Sequence, residues 1–340
     1  MPTTNEWFAK IVTRMFELMH NVEPDNFDAR RYRDVPENAF FFEQHAGFFL
    51  FFEQHRNDFH AARSLLADQA SQELFDQLLL YRLLGHTHVR LPFDRAAYLR
   101  ALQTADGWKV ETTSDVGLLG PLSIFAVPIG DDVLCLKCWN GNIATGLVNH
   151  QYYFRRGGVT IEPSRGDYAL DVGGCFGDTA LVFARSVGAE GHVYTFDPMP
   201  KHCSIMRETF AMNPDFGDRI TLFDFGLADK DNQGTGELRQ GIDPGARLTD
   251  DLPCRTLDSL DLPRVDFVKM DVEGAELMAL KGSAQSLRRF KPRLALSLYH
   301  RAEDFFAIPL WLDALGVGYR FYLDHYTIHN EETVLYAVAG

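Results

Sequence analysis

Cysteine is scarce in this chain, with five in 340 residues. The number is odd and far too small for a disulfide framework, which favours a reducing compartment. The one Cys-x-x-Cys, Cys135 to Cys138, has no second pair and lies in Val133–Trp139, a stretch that reads as a strand, so it points to neither metal nor redox chemistry. Long apolar runs are also missing. The longest, Phe48–Phe52, falls far short of the roughly 20 residues that cross a bilayer. Glu6, Lys10, Arg14 and Glu17 interrupt the apolar positions near the start, so these residues lack the uninterrupted apolar centre of a secretory signal, and a cytoplasmic protein without a membrane partner is expected. Positive charge is short too: 33 Lys and Arg against 47 Asp and Glu leave −14, which removes the usual basis for binding nucleic acid by counterion release.

What is present fits an average soluble protein, 46% hydrophobic and 24% charged. The length suits two domains, or one with a large extension, and lets about three quarters of the unfolded surface be buried without disulfides or metals. Trp7, Phe8, Ile11, Val12, Met15, Phe16 and Met19 recur at steps of three and four, predicting an amphipathic helix that needs a partner. A later helix starts after Asp68 as N-cap, carries Leu74, Phe75, Leu78, Leu79 and Leu83, and stops at Gly85. Between Trp108 and Tyr153 the pattern changes to short strands such as Leu122–Val127 and Val133–Lys137.

Beyond Arg155-Arg156-Gly157-Gly158 the texture changes again. Continuous apolar runs, Tyr168–Val172, His192–Phe196, Ile220–Phe225, Phe267–Met270 and Leu294–Tyr299, alternate with helix-length segments, as buried parallel strands with crossover helices do. Tyr319–His325 and Thr333–Val338 form a terminal hairpin. The expectation is an α/β chain with a helical and β N-terminal region, 1–155, that binds an acceptor or makes a homodimer surface, and a sheet domain over 156–340.

Ligands of open α/β sheets bind outside the carboxyl ends of the strands. Strand one runs into Asp171-Val-Gly173-Gly174-Cys-Phe-Gly177-Asp178-Thr179, where glycines permit a tight turn and a helix begins. The dinucleotide fingerprint would require Gly at 172, where this chain has Val, and the carboxylates of Asp171 and Asp178 would repel a pyrophosphate. These features oppose an NAD-dependent oxidoreductase. They suit S-adenosylmethionine, which carries a net positive charge and no phosphate. Strand two ends at Asp197-Pro198, where a carboxylate can accept from ribose hydroxyls, and Gly226 and Leu227 are the first residues past strand three.

These stretches, Tyr168–Thr179, Val193–Pro198, Thr256-Leu-Asp258, Asp266-Phe-Val-Lys-Met-Asp-Val-Glu-Gly-Ala-Glu-Leu277 and Gly318-Tyr319, resemble the FkbM family of S-adenosylmethionine-dependent methyltransferases. The block from Asp266 is the most specific. The resemblance implies a Rossmann-like class I methyltransferase sheet of strand order 3-2-1-4-5-7-6 with the last strand antiparallel, and usually O-methylation of hydroxyls on sugars, polyketides or related metabolites. Asp197 departs from the Glu more common in the family before that proline. The N-terminal half does not share the resemblance, so the acceptor does not carry over.

Methyl transfer depends mainly on positioning, with a general base adding about 10²–10⁴ in rate. Strand four ends at Asp271 with Glu273 two residues on, and strand five leads to His300; all three are candidate catalytic groups beside the cofactor loop. Glu276 reads as a first-turn acid favoured by the helix dipole. His300 also reads as a structural histidine bonded to backbone or to Glu303 and Asp304, and His325 lies on a strand whose facing is open. Asp271, Glu273 and another acid would suit Mg²⁺, but no compact spacing demands a metal and none is assigned. A non-catalytic S-adenosylmethionine-binding protein is the remaining alternative.

Overall fold

Capping defines the first helix of the computed structural model, which describes residues 2–20, 39–117, 120–232 and 252–340. The Thr3 hydroxyl and the Glu6 carboxylate close a reciprocal capping box that starts α1, Thr4–Leu18. Its apolar stripe is covered only over the first turns: Trp7 and Ile11 are buried, whereas Phe16 and Met19 are exposed. Next come α2 (Ala39–Gln54), α3 (Arg56–Leu65), α4 (Gln69–Leu84) and α5 (Arg95–Gly107). The α4 boundaries are those its sequence signals imply, since Asp68 accepts from the Ser71 N–H at 2.7 Å and Gly85 ends the helix with φ +75°.

Strands β1 (Lys109–Gly117), β2 (Gly120–Ile129) and β3 (Asp132–Cys138) form a separate antiparallel sheet. Cys135 and Cys138 lie on β3 three residues apart, so they face opposite sides and cannot chelate together. The short pair β4 (Phe154–Arg156) and β5 (Val159–Ile161) leads into the main sheet, whose members are β6 (Tyr168–Val172), β7 (His192–Phe196) and β8 (Ile220–Phe223). After the two-residue pairing of β9 (Gly226–Leu227) with β10 (Cys254–Arg255) come β11 (Phe267–Met270), β12 (Arg293–Ser297), β13 (Tyr319–His325) and β14 (Thr333–Ala339).

The main sheet is ordered β13-β14-β12-β11-β6-β7-β8, and β14 runs antiparallel to both neighbours. This is the class I methyltransferase order expected from the sequence. Two strands end earlier than the apolar runs suggest. Strand β8 stops at Phe223, and β12 stops at Ser297, so Leu298, Tyr299 and His300 lie in the loop over the sheet's carboxyl edge.

The N-terminal region packs against both sides of this sheet. Phe59, Phe75 and Leu79 from α3 and α4 share one core with Phe305 and Leu312 of the helix Asp304–Ala314 and with Phe321 of β13. Each such fully buried side chain contributes about 1.5–3 kcal/mol relative to exposure. On the other side, Phe125, Leu134 and Leu136 of the three-stranded sheet meet Phe176, Leu181 and Ile205. Among the described residues no helix is long and apolar enough to cross a membrane.

Candidate active site

The loop after β6 is held by close backbone approach. Gly173 and Gly174 donate their N–H groups to the Phe196 carbonyl at 2.9 and 3.0 Å. Gly173 has φ +85°, and a Cβ there would lie 1.8 Å from the Asp271 carbonyl oxygen. The cofactor loop and the end of β11 therefore touch, which fixes the spacing between the two halves of the site. Gly177, at φ +84°, is the residue from which the helix Asp178–Val187 starts.

Beneath this loop lies a buried ion pair. Lys269 is the register partner of Asp171, and its Nζ sits 2.9 Å from Asp171 Oδ1 while donating to the Gly173 carbonyl at 2.7 Å. The Thr195 hydroxyl donates to Asp171 Oδ2 at 3.3 Å. Asp171 has no exposed surface, so it supports the loop from below and is not part of an acidic rim. Burial raises its pKa despite Lys269. Asp178 is also buried, and burial together with the Asp171 charge lifts its pKa to about 6. Thr179, next on that helix, is half-buried.

Asp197 follows β7 and is 5% exposed. Its Oδ2 accepts from the Cys175 N–H at 3.0 Å and its Oδ1 from the Met199 N–H at 2.9 Å, with His202 Nδ1 3.1 Å from Oδ2. It thus ties the glycine loop to the start of the helix Pro200–Ala211. Pro198 lies against Gly226, where a Cβ would be 3.5 Å from the Pro198 Cγ, and Leu227 is buried beside it. Phe196, Phe223 and Phe225 cluster near this edge, with the first two stacked at 4.9 Å.

The end of β11 carries the second half of the site. Asp271 Oδ2 accepts from the Tyr152 hydroxyl at 2.7 Å, and Tyr299 donates to Oδ1 at 3.3 Å. Burial would raise the Asp271 pKa, but His300, Lys269 and the hydroxyls of Tyr152 and Ser297 outweigh it and hold it below the ordinary carboxylate value. The His300 ring lies among three acids: Nδ1 is 2.9 Å from Glu276 Oε1, and Nε2 is 3.5 Å from Asp271 Oδ1 and 3.4 Å from Glu273 Oε2. Burial works against its charge, but Glu276, Asp271 and Glu273 overcome that and raise its pKa to about 9. A raised pKa favours the imidazolium form at neutral pH, the form in which the ring donates rather than accepts. Its partners are also not Glu303 or Asp304.

Glu273 is the exposed member, with a side chain 73% accessible, and it adopts φ +54° just before Gly274. A non-glycine residue in that region is held there by its surroundings, a feature that concentrates at functional sites. Glu276 is fully buried, accepting from the Val272 N–H at 2.9 Å, so it is more than a helix-dipole acid. His325 lies apart, buried on the terminal hairpin and bonded to Thr333 Oγ1 at 2.9 Å.

Lys269 and Tyr152 are among the residues of this site that carried no assignment in the sequence reading. Lys269 had a usable signal, a lone charge in the apolar run Phe267–Met270 that demands a buried counterion. Tyr152 had none. It lies 119 residues from Asp271 in sequence, enters with φ +72°, and is anchored by its N–H donating to the Tyr336 hydroxyl at 3.1 Å.

The family model described as the methyltransferase FkbM domain matches residues 171–321, the segment that holds the glycine loop, Asp197 and the acids after β11. The chain carries a methyltransferase FkbM domain. S-adenosylmethionine is the methyl donor of this domain. Among solved structures, methyltransferase FkbM from Methylobacillus flagellatus KT is similar over 85% of this chain at 18% identity and a TM-score of 0.57, which shows the shared fold. This chain spans 60% of that protein's length. A SAM-dependent O-methyltransferase from Thermotoga maritima (13% identity, 52% of this chain and 60% of that one, TM-score 0.36) resembles it more distantly. So does fibrillarin from Aeropyrum pernix with natively bound S-adenosyl-L-methionine (16% identity, 67% and 100%, TM-score 0.34). No match was found among curated proteins. The residues present fit such a cofactor: a tight glycine loop, the fixed Asp197 carboxylate and the nearby acids Asp178 and Asp271 provide negative charge and, among the described residues, no cluster of cationic side chains that a phosphate would need.

Proposed function

We propose that this FkbM-domain chain is an O-methyltransferase acting on a hydroxyl of a small metabolite such as a sugar or polyketide. The observation that carries the reading is the gathering of Asp271, Glu273 and His300 at the end of β11, in contact with the glycine loop through Gly173. When bound, S-adenosylmethionine supplies an electrophilic methyl carbon whose bond to sulfur breaks as the acceptor oxygen bonds to it. Asp197, with Gly173, Gly174 and Gly177 shaping the loop, holds the cofactor; Pro198, Gly226 and Leu227 line its neighbouring edge, and Asp178 and Thr179 its helix start.

Glu273 takes the hydroxyl proton. It is the accessible acid of the three, while Asp271 is engaged by Tyr152 and Tyr299 and orients the group. His300, as a cation, offsets the negative charge of the surrounding acids. Residues 1–155 supply the acceptor wall, a reading supported by Tyr152, which donates its hydroxyl to Asp271 at 2.7 Å. The test is turnover of an acceptor library by Glu273→Gln. A loss of about 10²–10⁴ in kcat with little change in cofactor affinity is expected; turnover within about threefold of the parent would remove Glu273 as the base.

A further inference from the structure

The acids around His300 are arranged in a way that the proton-transfer role leaves unexplained. One carboxylate oxygen of Asp271, one of Glu276 and one ring nitrogen of His300 lie within 4.8 Å of one another. A six-coordinate divalent ion with bonds of about 2.1–2.2 Å places adjacent donors about 3.0 Å apart and opposite donors about 4.3 Å apart, so atoms within 4.8 Å of one another need to close by only about half an ångström to share an ion. The His300 side chain is only 9% exposed, and neither ring nitrogen makes a hydrogen bond, although Nδ1 lies 2.9 Å from Glu276. Glu276 has no exposed surface, and its Oε2 likewise has no hydrogen-bond partner. Buried polar atoms of this kind call for a partner.

We infer that Asp271, Glu276 and His300 form a site for a divalent first-row metal ion at the acceptor side of the cofactor pocket, the ion displacing the His300 ring proton to solvent and taking over its positive charge among the acids. Two carboxylates with one imidazole favour manganese, iron, cobalt or zinc over magnesium, whose ligands are almost always oxygen. The second sphere is in place. Tyr152 and Tyr299 donate to Asp271, and the Val272 N–H donates to Glu276, which orients both ligating carboxylates. Glu273, exposed and 3.4 Å from the imidazole, stays free to meet the acceptor. The ion would hold the acceptor oxygen and lower the pKa of its hydroxyl, so that the proton passes to Glu273. This role rests on the methyltransferase reading, but metal affinity is measured without it.

The experiment uses the full chain, stripped with a chelator and titrated with Mn²⁺ while the free-ion electron paramagnetic resonance signal is followed. Saturable uptake of one ion per chain below about 1 mM is expected, with nitrogen coupling from a bound imidazole in the pulsed spectrum. His300→Ala and Glu276→Gln should each weaken uptake by roughly tenfold or more. No saturable uptake, uptake without nitrogen coupling, or a folded His300→Ala variant that binds as well as the parent would overturn the site. The nitrogen coupling is read on the parent protein, so it decides the matter even where a variant does not fold. Methyl transfer by protein that takes up no Mn²⁺ would sink the metal site and leave the proposed function. Coupled Mn²⁺ uptake with no transfer to any acceptor would sink the function and leave the site.

Discussion

Gly173→Ala tests the claim that the cofactor loop is set by its contact with the end of β11. The added methyl would begin 1.8 Å from the Asp271 carbonyl oxygen and 2.9 Å from its carbon, against backbone that no rotamer change can clear. Reaching a separation of 3.0 Å needs a movement of about 1.2 Å. The residue must also adopt φ +85° with a side chain, at about 1–2 kcal/mol, and the crowding adds about 1–3 kcal/mol. The expected loss of stability is about 2–5 kcal/mol, seen as a fall of roughly 5 °C or more in Tm. A shift of about 1 Å at the reacting centre also lowers turnover by about 10². Gly166→Ala is the control, because Gly166 has φ +81° with nothing within 4 Å of the new Cβ. It should lose only the conformational part, about 1–2 kcal/mol, and keep cofactor binding. Calorimetric titration with S-adenosylmethionine and thermal melts of both variants decide the matter. Equal Tm and equal affinity in the two variants would refute the contact argument.

Asp197→Asn keeps the shape but removes the charge and one acceptor for the Cys175 and Met199 N–H groups, so affinity for S-adenosylmethionine should fall roughly tenfold by titration. Tyr152→Phe removes a hydrogen bond to a charged carboxylate, and melts should show about 1.5–3 kcal/mol of destabilisation; an unchanged Tm would mean that the hydroxyl is not engaged. Burial lowers the His325 pKa to about 3, below its unfolded value of 6.5. Neutral His325 therefore favours the fold above about pH 6.5, and that contribution is lost as pH falls toward 3, reaching about 2 kcal/mol by pH 5. Melts at pH 7.5 and 5.0 should show the loss, and His325→Gln should reduce it.

Most strand limits were legible because each buried parallel strand is a continuous apolar run bounded by turn residues, whereas their order in the sheet was implied by the resemblance to the FkbM family. Helix α4 was legible at both ends because Asp68 and Gly85 are local signals whose effect needs no tertiary partner. The carboxyl-edge positions were legible as positions, since the motif order places Gly173, Asp197 and Asp271 there. What each carboxylate does was not. Asp171 reads like an acid at a rim, and only the register with Lys269 turns it into a buried counterion. His300 reads like a base near neutrality until three acids surround it. Those facts depend on pairwise distances between residues far apart in sequence, and no window of local pattern contains them.

The link from Tyr152 to Asp271 also bears on the order of events during synthesis. The central strand β6 has β7 close behind it, but its other neighbour, β11, begins almost a hundred residues later, at Phe267. A chain emerging from the ribosome can therefore pair β6, β7 and β8 early, with one long edge of β6 unpaired until Met270 has emerged. Tyr152 would wait through the same interval for its carboxylate. Long-range pairings of this kind form slowly and leave sticky intermediates, so yields from recombinant expression should improve with slower translation or a holding chaperone.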